Sequence, residues 1–363
     1  MEAFNDHSLR PSPHIAVLFY DALGDFVIIT PLLRGLREKY PGCTIDYFGG
    51  DHTKEFEEAS DLIDSRVSVF GAGDRMSELI GYVERRKREA GEYDLAINAD
   101  FHPALAMAAR LINARFVVGN CWTQDLRAEI PKPPGKVHEL HTAYWSELDF
   151  MERFGDVLDS NFIGEIWCRM CFVQTDFHKC ELPQADPECE IPDVLISTGG
   201  RRSAKLWSAD HWIAFLRLCS THGLSVGLLG NKPAMQSAVY NTGDAETRLL
   251  AETELIDLRG RFALPQVVGA LARCRACVTV DNGIMHMSYA SGTKTLALFG
   301  ASNYELWTPR ANNLIVLLPD EPCDLCRQNR FKNADCLLPV HQCMNSIRPE
   351  AVMERLLAEL GAR

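Results

Sequence analysis

The chain has 363 residues, 47% apolar and 24% charged, with a net charge of −12 and 18 prolines. That length exceeds one small core and suits two domains of roughly 150–180 residues. The acidic balance argues against non-specific binding to nucleic acid or anionic lipid. No apolar run approaches the roughly 20 residues of a membrane span, and no signal pattern opens the chain, so it is expected in the cytoplasm. Thirteen cysteines then read as thiols or metal ligands rather than a disulfide frame.

In chain order, residues 1–13 read as a flexible polar tail. Residues 14–19 form an apolar strand that turns through Tyr20-Asp21-Ala22-Leu23-Gly24-Asp25 into a helical stripe over residues 26–40. Pro31 inside that stripe predicts a kink, or a separate first turn. Residues 44–48 are the next strand, so the chain opens with a βαβ unit and a parallel sheet. Strands at 66–70, 93–98 and 116–119 follow, with helices at 75–89 and 103–111 between them. Ligands of open α/β sheets bind beyond the carboxyl ends of the strands. Gly24, Asp25, Asn98, Asp100 and His102 therefore lie on one candidate rim. Residues 138–154 read as one helix. Residues 156–192 keep no pattern and read as a linker with an irregular insert.

A second alternating series begins at 193–197. It continues through a Gly-Gly-Arg201-Arg202 loop carrying Lys205, a helix capped by Ser208, and strands at 225–229, 256–258, 276–280, 295–299 and 314–318. Residues 347–360 form a closing amphipathic helix. The strand at 276–280 ends abruptly at Asp281-Asn282-Gly283, and a helix pattern starts there with His286 one turn on. A helix start offers backbone N–H groups and partial positive charge, which suit phosphate. Asp281 suits a sugar hydroxyl instead, since it would repel phosphate. Lys205, Arg201, Asn231 and the Phe299-Gly300-Ala301-Ser302 turn could join this site and hold a nucleotide diphosphate. Asp25, a carboxylate at a helix start, suits a base toward an attacking hydroxyl, or only caps its helix. Asp100 and His102 could serve that role or bind an acceptor. His286 is either a phosphate donor or a packed structural residue. No Gly-x-Gly-x-x-Gly follows the first strand, which argues against a dinucleotide oxidoreductase.

Cys323-Asp324-Leu325-Cys326, with Cys336 and Cys343, has spacing that fits a structural four-thiolate zinc or iron site. Cys168, Cys171, Cys180 and Cys189 form a looser set. Cys274 and Cys277 flank a strand and read as core thiols.

Four motifs in order carry a resemblance. They are Leu23-Gly24-Asp25 through Thr30-Pro31 to Arg34, Lys205-Leu206-Trp207, Asp281-Asn282-Gly283-Ile284-Met285-His286, and Phe299-Gly300 with Trp307-Thr308-Pro309. Together the chain resembles glycosyltransferase family 9, the ADP-heptose heptosyltransferases of lipopolysaccharide core assembly. The resemblance implies an α/β GT-B fold, two Rossmann-like doubly wound domains facing a central cleft. It implies an acceptor domain at 14–190, a nucleotide-sugar donor domain at 191–345 and a C-terminal helix at 346–363. It implies inverting transfer with no cofactor, with Asp25 as base. Lys205, Asn282 and Gly283 would hold the departing diphosphate, Asp281 the sugar hydroxyls, and His286 would complete the site. The acceptor would be a lipopolysaccharide core, or a soluble small molecule or protein. The alternatives are another GT-B activity, either a different hexose donor or an epimerase, and an inactive nucleotide-sugar-binding scaffold.

Overall fold

The computed structural model describes residues 1–235, 245–321 and 323–361. It divides into two compact units, Met1–Pro183 and Gln184–Arg363. Each is built on a six-stranded sheet in which every pairing is parallel.

The first sheet contains β1 (Glu2–Ala3), β2 (His14–Leu18), β3 (Thr44–Gly50), β4 (Ser65–Phe70), β5 (Leu95–Asn98) and β6 (Phe116–Gly119). Its order is β4-β3-β2-β5-β6-β1. The second contains β7 (Val194–Ser197), β8 (Val226–Leu228), β9 (Ile256–Asp257), β10 (Ala276–Val280), β11 (Thr295–Leu298) and β12 (Leu314–Leu317), in the order β9-β8-β7-β10-β11-β12. Strands buried on both faces read as continuous apolar runs, and β2, β7, β10 and β11 do so. In each sheet the winding reverses direction beside the first central strand, between β2 and β5 and between β7 and β10. Such switch points open a crevice at the strand ends. This is the two-Rossmann architecture of the GT-B class.

The helix after β2 runs from Leu23 to Lys39 through Pro31 without a break. Proline lacks the N–H that Val27 O would otherwise accept. The Thr30 hydroxyl donates to Val27 O instead, at 2.7 Å, and also accepts from Glu181 N at 3.0 Å. The adjacent hydroxyl thus fills the gap that the proline leaves, and one continuous helix takes the place of a separate first turn.

Three expectations are corrected. The N-terminal segment is no loose tail: Glu2 and Ala3 pair with Phe116 and Val117, and Phe4 is buried edge-on against Phe116 and Phe172. An apolar pair beside an open sheet edge is held there by that burial. Residues 138–154 form two short helices, Lys136–Glu139 and Phe150–Phe154. The chain turns between them because Leu140 and His141 are buried and the Trp145 indole donates back to Leu140 O at 2.8 Å. The supposed irregular insert contains the helix Ile163–Met170, buried along nearly its whole length. Its neighbour Val173 lies so close to the first helix that a Cβ on Gly35 would come 2.3 Å from Val173 Cγ1. Residues 184–190 pack with the second unit, where Ala185 N donates to Pro265 O at 2.9 Å and Asp186 pairs with Arg273 at 2.7 Å.

Among the described residues no helix is long and apolar enough to cross a membrane.

Candidate active site

In the second unit, three strand ends meet. The segment after β7 carries a short 3-10 turn, Ser203–Lys205. It is pinned on both sides. Trp207 is buried and its indole donates to Ile347 O at 2.9 Å, while Ala204 N donates to Ala334 O at 3.1 Å. Lys205 is thereby held with Nζ 2.5 Å from Asp281 Oδ2, at the end of β10. Ser302, beyond β11, donates to the same carboxylate oxygen.

Asp281 is 5% exposed. Burial alone would raise its carboxyl, but Lys205, His286 and Ser302 hold it below the usual carboxylate range. His286 is buried, with Nδ1 2.9 Å from the Tyr289 hydroxyl. Burial pushes its imidazole down to about 4, against the pull of Asp281, so the ring is neutral at pH 7. An ammonium has three N–H donors, so one carboxylate oxygen leaves Lys205 capacity for an oxyanion. The cluster is a cation held in place by a buried anion, a preorganised counter-charge of the kind that stabilises a departing diphosphate.

Asn282 does a different job from the one expected. Its Oδ1 caps the helix Gly283–Ala290, accepting from Ile284 N at 3.0 Å and Met285 N at 3.2 Å. Its amide donates to Ser197 Oγ at 3.0 Å and Gly199 O at 2.8 Å. Both amide protons are thus spent on tying the β7 loop to the β10 turn, and two helix-start N–H groups are capped rather than open to phosphate. Asn231 is exposed and turns back on itself, Oδ1 accepting from Lys232 N at 2.8 Å. Arg201 is exposed, whereas Arg202 turns inward and donates to the carbonyls of Ala301, Phe331 and Asn333. Arg202 therefore clamps the loop before Lys205 to its neighbours, a role its sequence position beside Arg201 does not signal.

In the first unit, Gly24 and Asp25 lie in the first turn of the 17-residue helix Leu23–Lys39, whose N-cap Ala22 supplies no side-chain acceptor. The helix start favours an ionised carboxylate at Asp25, which is half-buried. Burial first, and then the nearby Glu57, Asp25 and Asp21, hold the Tyr47 hydroxyl far above its usual range.

Asn98 is fully buried and donates to Asn120 O at 2.7 Å, so it is a sheet-end residue out of an acceptor's reach. Asp100 accepts from His102 N at 2.8 Å, and His102 Nδ1 caps the next helix by accepting from Ala104 N at 3.2 Å. The His102 ring stacks on Tyr20 with centroids 5.7 Å apart and stays exposed. The pair Asp21–His52, which the sequence reading passed over, lies at the same end of the sheet. His52 Nδ1 is 2.7 Å from Asp21 Oδ2.

Cys323, Cys326, Cys336 and Cys343 line one small cavity together with His341. Among the described residues, however, no three His, Cys, Asp or Glu side chains are placed to hold one ion. Cys326 packs among Ala204 and Ala301, and Cys343 lies under Gly300, where a Cβ would come 3.1 Å from its sulfur. Among the described residues the expected zinc or iron set is thus gathered around one cavity but not arranged as ligands.

The fold is a pair of doubly wound parallel α/β units, and comparison with known proteins gives the family. The model of glycosyltransferase family 9 (heptosyltransferase) matches residues 85–335, and the chain belongs to that family of glycosyltransferases. It is 28% identical to lipooligosaccharide heptosyltransferase 2 of Haemophilus influenzae over 348 residues, covering 92% of this chain and 95% of that protein. Its fold is similar to that of a glycosyl transferase family 9 protein from Veillonella parvula, with a TM-score of 0.66 at 20% identity, covering 96% and 97% of the two chains. It is also similar to E. coli ADP-heptose lps heptosyltransferase II, with a TM-score of 0.65 at 18% identity, covering 96% and 98%.

Proposed function

We propose that the protein transfers a heptose, or a closely related sugar, from an ADP-sugar to an acceptor hydroxyl with inversion at the anomeric carbon. The observation that carries this reading is the Lys205–Asp281–Ser302 cluster at the joined ends of β7, β10 and β11. Its relatives support it: they are heptosyltransferases of lipopolysaccharide or lipooligosaccharide, and one of them is an ADP-heptose heptosyltransferase.

In the step, Asp25 takes the proton of the acceptor hydroxyl. That oxygen forms its bond to the anomeric carbon from one face, while the bond to the phosphate oxygen breaks on the other. The departing electron pair ends on the diphosphate, where the Lys205 ammonium and the Gly283 backbone meet it. Lys205 thus does the charge work otherwise given to a divalent ion, so the reaction needs no metal or organic cofactor. Asp281 holds Lys205 in place, Ser302 holds Asp281, and His286 packs behind them. Arg201 and Asn231 border the nucleotide, and Asp100 and His102 border the acceptor. The acceptor is a lipopolysaccharide core or a soluble hydroxyl-bearing molecule, met on the cytoplasmic side.

The test is incubation with ADP-heptose and lipopolysaccharide lacking core heptose, reading ADP release and the anomeric configuration of the product by NMR. Stoichiometric ADP with an inverted glycoside is expected. Retention of configuration, or no transfer from any ADP-sugar, would refute the reading.

A further inference from the structure

The structure assigns to His52, held by Asp21, the binding of a second hydroxyl of the acceptor sugar beside Asp25. This rests on the transferase reading above. Asp21 lies on the exit from β2 and is 6% exposed. Its carboxylate accepts from His52 N at 2.9 Å and Thr53 N at 3.1 Å, and lies 2.7 Å from His52 Nδ1. An ionised carboxylate only accepts, so Nδ1 carries the proton and donates it to Asp21. In the neutral ring this leaves Nε2 as a lone-pair acceptor. The His52 side chain is 63% exposed while its partner is 4% exposed, so the ring is anchored at its base and presented at its tip.

The anchor is built into the backbone. A Cβ at Gly50 would come 2.0 Å from Asp21 Cγ, so the end of β3 must be glycine for the carboxylate to fit. Capping the turn at His52 and Thr53 explains the backbone bonds to Asp21. It does not explain the aligned imidazole. Ordering an exposed side chain costs free energy and adds nothing to the cap. A carboxylate that fixes the tautomer and aim of a histidine is the arrangement expected where the other ring nitrogen meets a ligand.

The surroundings select the ligand class. Asp21 lies on the turn that leads from β2 into the helix whose first turn holds Asp25, and His52 follows β3, the parallel neighbour of β2, so His52 and Asp25 share one end of one sheet. The nearby cations are already paired: Arg66 with Glu57 at 2.5 Å, Arg75 with Asp51 at 2.5 Å and Lys54 with Glu58 at 3.5 Å. A phosphate would find no unmatched charge there. A polyhydroxyl ligand fits, with one hydroxyl giving its proton to Asp25 and another donating a hydrogen bond to His52 Nε2.

The test compares wild type, His52→Ala and His52→Gln in steady-state transfer from ADP-heptose to lipopolysaccharide lacking core heptose. His52→Ala should raise the acceptor KM at least tenfold while the donor KM stays within twofold. His52→Gln, whose amide oxygen can accept near the Nε2 position, should recover most of that loss, and added imidazole should partly rescue His52→Ala. An acceptor KM unchanged in His52→Ala overturns the inference. So does a loss shared equally by donor and acceptor, or one that neither glutamine nor imidazole relieves. Absence of transfer by the wild type itself defeats the transferase reading, and this inference with it. A working wild type that is indifferent to His52 defeats this inference alone.

Discussion

Lys205 Nζ and Asp281 Oδ2 lie 2.5 Å apart, joining the loop after β7 to the end of β10. The pair is nearly out of solvent, with side-chain exposures of 17% and 5%. Removing one partner of a buried ion pair leaves an uncompensated charge, which costs about 3–5 kcal/mol when burial is complete. Lys205→Ala should therefore lower stability by roughly 2–3 kcal/mol, with Ser302 still satisfying part of Asp281. It should also slow transfer by about 100-fold or more, as loss of one charge-stabilising donor does. Adding Asp281→Asn to Lys205→Ala should restore stability but not turnover. Denaturant titration and kinetics on the four proteins separate the two effects. Recovery of turnover in the double variant would show that the lysine only neutralises the aspartate.

Asp25→Asn keeps the shape and removes the basic oxygen. Asp25 sits in the first helical turn, where a carboxylate is favoured by roughly 0.3–1 kcal/mol, so stability should change little. Turnover should fall by about 100- to 10,000-fold, the usual worth of a positioned base. Donor affinity, measured by calorimetry with ADP, should stay near that of wild type. Near-normal turnover would leave Asp25 as a helix-start residue only.

Much of the second unit's site was legible because its signals are local. The apolar strand, the Asp281-Asn282-Gly283 turn and the helix after it are contiguous, and the paired lysine lies in a motif with its own anchor, Trp207. What escaped depends on partners remote in sequence. Asp21 meets His52 and Arg202 meets Phe331 only after the sheets assemble. The Asn282 amide looked available for phosphate because nothing local shows that Ser197 and Gly199 consume it. The helix Ile163–Met170 was missed because it is only eight residues long and buried on nearly every side, and packing against the first helix decides its form.

The acid side of the stability profile should carry the mark of His286. Burial lowers its imidazole to about 4 from the ordinary 6.5. Between those values the unfolded chain holds a proton that the folded chain excludes, so stability falls as pH drops through that window. Each unit costs about 1.4 kcal/mol, or roughly 3 kcal/mol in all. His141, lowered by burial to about 3, acts in the same sense. Urea unfolding from pH 7 to pH 4.5 should therefore steepen with acid. His286→Gln, which removes one of these protons, should flatten the slope by about one proton. An identical slope in the variant would mean that His286 titrates normally in the folded protein.

The first helix offers a test of how its proline is tolerated. Val27 O loses its usual donor to Pro31 and accepts from the Thr30 hydroxyl at 2.7 Å, while that hydroxyl accepts from Glu181 N at 3.0 Å. Thr30→Val keeps the shape but strands both backbone groups. An unsatisfied buried polar group costs about 1–3 kcal/mol, so the variant should lose roughly 2–3 kcal/mol. Pro31→Ala restores an N–H for Val27 O. The cost of Thr30→Val should then be smaller by about 1 kcal/mol when residue 31 is alanine, because only Glu181 N is left without its acceptor. Four denaturation curves measure that coupling. Equal costs in both backgrounds would mean that the hydroxyl serves Glu181 alone, and that the helix carries an unfilled carbonyl at Val27.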